Sequence, residues 1–90
     1  MSTFERPLQV GKRDNYTLTL ATGYLDGEVI GSATAATISS LLTIETVSND
    51  GATISVLCTG VAPGYANIEF SWETATRSGC ETHTIAIEDC

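Results

Sequence analysis

Ala52-Thr53-Ile54-Ser55-Val56-Leu57-Cys58 places apolar side chains at positions 54, 56 and 58, with hydroxylated residues between them. That period of two is the signature of a pleated strand with one wet face. The same period recurs in Ala66-Asn67-Ile68-Glu69-Phe70-Ser71-Trp72-Glu73-Thr74 and in His83-Thr84-Ile85-Ala86-Ile87-Glu88. Between these runs lie Gly60-Val61-Ala62-Pro63-Gly64 and Arg77-Ser78-Gly79, both rich in turn formers.

Working back toward the N-terminus, Leu42 to Val47 reads as a strand, followed by a hairpin turn at Asn49-Asp50-Gly51. Tyr16-Thr17-Leu18-Thr19-Leu20 alternates cleanly behind a turn at Asp14-Asn15. Ser32 to Ser39 is small and weakly patterned, but its β-branched Thr34, Thr37 and Ile38 favour a strand over a helix. Asp26-Gly27 marks another turn, with Tyr24 and Leu25 placed to plug one end of the body. The expectation is an all-β, immunoglobulin-like β-sandwich of about seven strands, with no helix. Its expected core is Tyr16, Leu18, Leu20, Ile44, Ile54, Val56, Cys58, Ile68, Phe70, Trp72, Ile85 and Ile87.

Residues 1–13 stand apart as an N-terminal arm, with the sandwich domain over 14–90. Pro7 cannot donate to a ladder, so Leu8-Gln9-Val10 is at best an edge strand. Three of the four basic residues (Arg6, Lys12, Arg13) lie in this arm, and the chain as a whole carries a net charge of −7. Such a balance argues against nucleic acid and against an anionic membrane surface, since both are bound through Lys and Arg. No apolar run has the length of a membrane span, and the start of the chain lacks the apolar core of a secretory signal. Synthesis in a cytoplasm is the corresponding expectation.

The chemistry-bearing residues give no strong constellation. Cys58, Cys80 and Cys90 are an odd set and read as free thiols, with Cys58 on a core face and Cys80 in the last turn. His83 lies in phase with Ile85 and Ile87, with Glu81 its only acidic neighbour on that face. A partly buried ring is favoured there over a general base, which needs a nucleophile or an orienting partner. The three cysteines and His83 lack zinc-ligand spacing. Asp26, Glu28, Asp50, Glu88 and Asp89 read as solvated carboxylates rather than a calcium loop. Asn67, Glu69, Ser71 and Glu73 form an outward polar stripe. No Gly-rich phosphate loop or nucleophile elbow occurs. No cofactor and no metal are expected, and the chain reads as a non-enzyme.

One resemblance adds to this reading. Thr59-Gly60-Val61-Ala62-Pro63-Gly64-Tyr65-Ala66-Asn67-Ile68, then Glu73 to Gly79, then Thr82 to Glu88, follow a recurring order of turn, strand, tight turn and terminal strand. With Tyr24-Leu25-Asp26-Gly27-Glu28-Val29-Ile30 and the hairpin Asp50 to Val56, this resembles the small immunoglobulin-like proteins of tailed bacteriophages over residues 14–89. Tyr24 stands where that pattern often has Trp, Pro63 replaces a Gly, and Tyr65 comes one position early.

The resemblance implies a virion component, such as a capsid decoration or head–tail protein, contacting capsid, portal or tail proteins in many copies. Phe4, Arg6, Pro7, Leu8 and Val10 are then the arm residues expected to order on a neighbour, with the basic arm attracted to the acidic body of an adjacent copy. Deleting residues 1–12 is expected to abolish assembly and spare the sandwich. The alternative is a receptor- or sugar-binding module, with Tyr24 and Tyr65 exposed together at one sandwich end.

Overall fold

The computed structural model describes residues 2–4 and 6–89. Its strands are β1 (Ser2–Thr3), β2 (Leu8–Gln9), β3 (Arg13–Thr19), β4 (Ser32–Ala36), β5 (Leu42–Asp50), β6 (Thr53–Gly60), β7 (Gly64–Glu73) and β8 (Ser78–Glu88), with one helical turn, α1 (Thr22–Leu25). One sheet runs β1-β8-β7-β4, with β2 also on β8; the other runs β3-β6-β5. β1 and β2 lie end to end along β8 (Ser2 opposite His83, Leu8 opposite Ile87) and act as one interrupted edge strand. Counted so, the fold is a seven-strand, immunoglobulin-like sandwich of two packed sheets, as the alternation requires.

Alternation sets the register. In β6 and β7 every second residue is buried: Ile54, Val56 and Cys58 from one sheet meet Ala66, Ile68, Phe70 and Trp72 from the other. Ile85 and Ile87 of β8 and Tyr16 of β3 complete the centre. Each large apolar side chain removed from water this way contributes about 1.5–3 kcal/mol before entropy is counted. Leu18 and Ile44, expected inside, pack only partly buried against the cluster. Leu8, Ile30, Leu42 and Ala66, absent from the expected core, are buried in it.

Local departures have local causes. The helical turn α1 replaces an expected irregular segment: the amides of Tyr24 and Leu25 both donate to Ala21 O, and this swings Leu25 into the core. The alternating run read through Thr74 ends as a strand at Glu73, because Thr74 and Arg77 close a turn on each other (Thr74 N to Arg77 O, 2.7 Å). Cys80 therefore sits within β8 rather than in the turn. The Asp50-Gly51 turn forms as expected, with Gly51 at a φ of 61°. No helix among the described residues is long and apolar enough to cross a membrane.

Candidate interaction surfaces

The first surface is the arm, and the structure seats it on its own chain. Leu8 is 1 % exposed in the core. Phe4 leans on Tyr16 (ring centroids 4.9 Å apart) and on His83 (5.4 Å). The amide of Phe4 donates to Thr84 O (2.9 Å) and that of Val10 to Glu88 O (3.0 Å). Beyond β2 the chain crosses the seam between the sheets: Val10 bridges Gly60, and Gly11 N donates to Gly60 O at 2.9 Å. Arg6 clasps the opposite sheet, its Nε donating to Asp14 Oδ2 (2.6 Å) and its Nη2 to Asp14 Oδ1 (3.0 Å) and Asn15 O (2.6 Å). The Tyr16 hydroxyl donates back to Arg6 O (3.0 Å).

These contacts correct two expectations. The arm is the first edge of the sandwich rather than a free extension, because Leu8 belongs to the core. Two of its three basic residues are also engaged within the chain, Arg6 by Asp14 and Arg13 by Glu45 (3.7 Å). The Arg6 guanidinium, through its hydrogen bonds, holds the Asp14 carboxyl below its ordinary range. Of the five arm residues expected to order on a neighbour, Arg6 and Pro7 are exposed, Phe4 and Val10 are half-buried and Leu8 is buried.

The second surface is the end of the sandwich at α1. Trp72 packs edge-on to Tyr24 (6.2 Å, 88°), and its indole Nε1 donates to the Tyr24 hydroxyl at 3.2 Å. Gly79 makes room for this pair: a Cβ there would stand 2.9 Å from the Trp72 ring. Arg77 lies over the ring of Tyr24 (5.9 Å), donates to Leu25 O (3.4 Å) and pairs with Glu28 (3.5 Å). Hydrogen bonds from the Thr74 and Thr76 hydroxyls lower the Glu28 pKa. Tyr24 is 38 % exposed and serves as a wall of this closed end.

The third surface is the outer face of the larger sheet. Register aligns Ser32, Glu73 and Ser78 in one row, Thr34, Ser71 and Cys80 in the next, and Ala36, Glu69 and Thr82 in the third. Asn67 beside Thr84, then Tyr65 beside Ala86, continue the face. Tyr65 is 75 % exposed. It does not join Tyr24. Tyr65 stands near the start of β7 and Tyr24 packs on Trp72 near its end, and seven residues of strand at about 3.3 Å each separate the two by roughly 23 Å. One aromatic platform at one sandwich end, expected from sequence, is therefore not formed.

The remaining candidates are dispersed or buried. Cys58 is fully buried in β6, and burial pushes its thiol up to about 11, which suits packing rather than nucleophilic work. Cys80 faces out from the other sheet, and both thiols are free; Cys90 lies outside the described residues. His83 is wedged between Phe4 and Phe70 (5.4 and 5.6 Å), with Glu81 Oε1 3.6 Å from its Nε2. Among the described residues no group of three or more His, Cys, Asp or Glu is arranged to hold a metal ion. Sequence reasoning missed the Glu28–Arg77 closure and the exposure of Val29 and Ile38 on either side of β4. The uncharged run from Val29 to Ile44 was the visible signal for the latter.

No family model matches the chain, and no curated protein does. Solved structures do. Domains 4 and 5 of the S-layer protein SbsC superpose with a TM-score of 0.58 at 20 % identity, over 90 % of this chain and 46 % of that one. The endo-fucoidan hydrolase MfFcnA4 of glycoside hydrolase family 107 gives 0.62 at 20 % identity, over 100 % of this chain and 13 % of that one. The cysteine protease inhibitor EhICP2 of Entamoeba histolytica gives 0.51 at 9 % identity, over 90 % and 84 % respectively. The chain thus spans less than half the length of the first two. At these identities the likeness concerns the fold alone.

Proposed function

We propose that this chain is a non-enzymatic structural component of a bacteriophage virion, an accessory protein of the capsid or head–tail region that is present in many copies and binds neighbouring virion proteins. The observation that carries this reading is the outer face of the larger sheet. Its rows of Ser, Thr and Ala around Glu69 and Glu73 form a broad surface of short side chains, suited to protein contact over area. The groups that would serve chemistry, Cys58 and His83, are taken up in packing. The turn and strand pattern of residues 14–89 supports the phage assignment. Density-gradient fractionation of lysates from the producing host tests it. The chain should band with intact particles and survive a salt wash as part of them; recovery only from the particle-free fraction would refute the proposal.

A receptor- or sugar-binding role is the second reading, and Tyr65 favours it. Its ring stands open on a polar face, flanked on the same strand by Asn67. It requires glycan binding that Tyr65→Ala abolishes, and silence on a glycan array removes it.

A further inference from the structure

We propose that β4 is the seam along which two copies of this chain pair, edge to edge and antiparallel, about a twofold axis at Thr34. β4 closes the order of the larger sheet, with β7 on one side and, among the described residues, no strand hydrogen-bonded to it on the other. An open edge of this kind offers a row of backbone donors and acceptors to another strand. The other edges are guarded. β3 carries Arg13 and Asp14, β5 carries Glu45 at a bulge between Ile44 and Thr46, and the interrupted β1–β2 edge contains Pro7. β4 has none of these devices: every residue from Val29 to Ile44 is uncharged and none is proline. Its side chains, Ser32 to Ala36, are all short.

The flanks decide the occupant. Two of the exposed large apolar residues bracket the strand, Val29 (63 % exposed) before it and Ile38, fully exposed, after it. In an antiparallel pair centred on Thr34, residue 34 + n faces residue 34 − n of the partner. Within β4 this sets Ser32 opposite Ala36 of the second copy; carried past the strand ends, the same register brings Ile38 toward the partner's Val29, and the symmetry repeats the approach at the other end. A patch that complements itself under a twofold operation is what an isologous dimer needs.

Charge points the same way. A chain of net charge −7 meets a second copy at least cost where neither carries charge. The nearest acids on the same sheet, Glu69 and Glu73, lie on β7. Across the seam the two β7 strands would stand three strand spacings apart, about 14 Å, beyond the Debye length of about 8 Å at physiological salt. The result is one continuous sheet whose outer faces join into a single surface, and this holds whether or not the protein belongs to a virion.

Sedimentation equilibrium on the intact chain, at its highest soluble concentration, tests the seam. The wild type should show twice the monomer mass of 9.5 kDa. Thr34→Lys sets two like charges side by side at the axis, and Ile38→Asp removes both flank contacts. Each should weaken dimerisation on the order of a hundredfold. Both side chains are exposed, so circular dichroism and thermal unfolding of the variants should match the wild-type monomer. Tyr65→Lys, on the far part of the outer face, should leave the dimer intact. A monomeric wild type, or a dimer that survives both β4 substitutions, overturns the proposal.

Discussion

Arg6 grips Asp14 through two hydrogen bonds, Nε to Oδ2 at 2.6 Å and Nη2 to Oδ1 at 3.0 Å, and in doing so ties the edge of one sheet to the first strand of the other. The geometry is bidentate and directional. Its contribution to stability is limited, because the Arg6 side chain is mostly in water and that of Asp14 is only half-buried. The larger contribution of the same segment is Leu8, which fills the core beneath the clasp.

Leu8→Ala should therefore destabilise the fold by about 2–5 kcal/mol, the cost of a core truncation with its cavity. Removing residues 1–12 should cost at least as much, since Phe4 goes too. Urea denaturation followed by circular dichroism reads both. A truncated chain as stable as the full one would mean that the segment adds nothing to the core.

Gly60 is the second anchor of this edge. A Cβ there would meet Gln9 O at 2.7 Å and the Ile87 Cγ2 at 3.2 Å, and the nearest of these atoms is backbone, which cannot swing aside. Gly60→Ala should cost about 1–3 kcal/mol by overpacking. Its effect should be non-additive with Leu8→Ala, because both loosen β2.

Much of this was legible in the sequence and some was not. Ile54, Val56, Ile68, Phe70, Ile85 and Ile87 declare their inward face because alternation with a wet face needs only local information. The arm could not be read this way: strands of two residues, split by Pro7, have no period, and their parallel pairing with β8 is fixed by tertiary contact alone. α1 was missed because one turn containing Gly23 carries no helical pattern. Tyr24 and Tyr65 were expected together because sequence places both beside turns; the length of β7 keeps them apart.

Alkaline pH should destabilise the protein in a defined window. Burial raises the Cys58 thiol from 9.0 to about 11 and the Tyr16 phenol from 10.0 to about 12. Above pH 9 the unfolded chain releases these protons while the folded chain keeps them, so the unfolded state binds fewer protons and stability falls as pH rises. The loss should run from about pH 9 to pH 12. Tm measured across that range for Cys58→Ala should start its decline about one unit later than wild type, near the ordinary tyrosine value of 10.0. Identical profiles would reject the assignment to Cys58.

Trp72 is 6 % exposed, so its fluorescence should be blue-shifted and poorly quenched by acrylamide. Tyr24→Phe removes the acceptor of the indole N–H at 3.2 Å and should cost about 1 kcal/mol with little change in quenching. Trp72→Ala should cost about 3–5 kcal/mol. Free quenching of the wild-type indole would contradict the closed end formed by Trp72, Tyr24 and Gly79.

The account depends above all on β1, β2 and Val10 completing the chain's own sandwich, so that association uses outer surfaces and the β4 edge. Amide hydrogen exchange of the isolated, diluted chain, resolved by NMR, tests this directly at Phe4 and Val10, whose amides donate to Thr84 O and Glu88 O. Protection of both amides well above unfolded-chain rates is the predicted result. Exchange at unfolded-chain rates in the isolated protein would contradict it and return these residues to the role of an arm that orders on a neighbour.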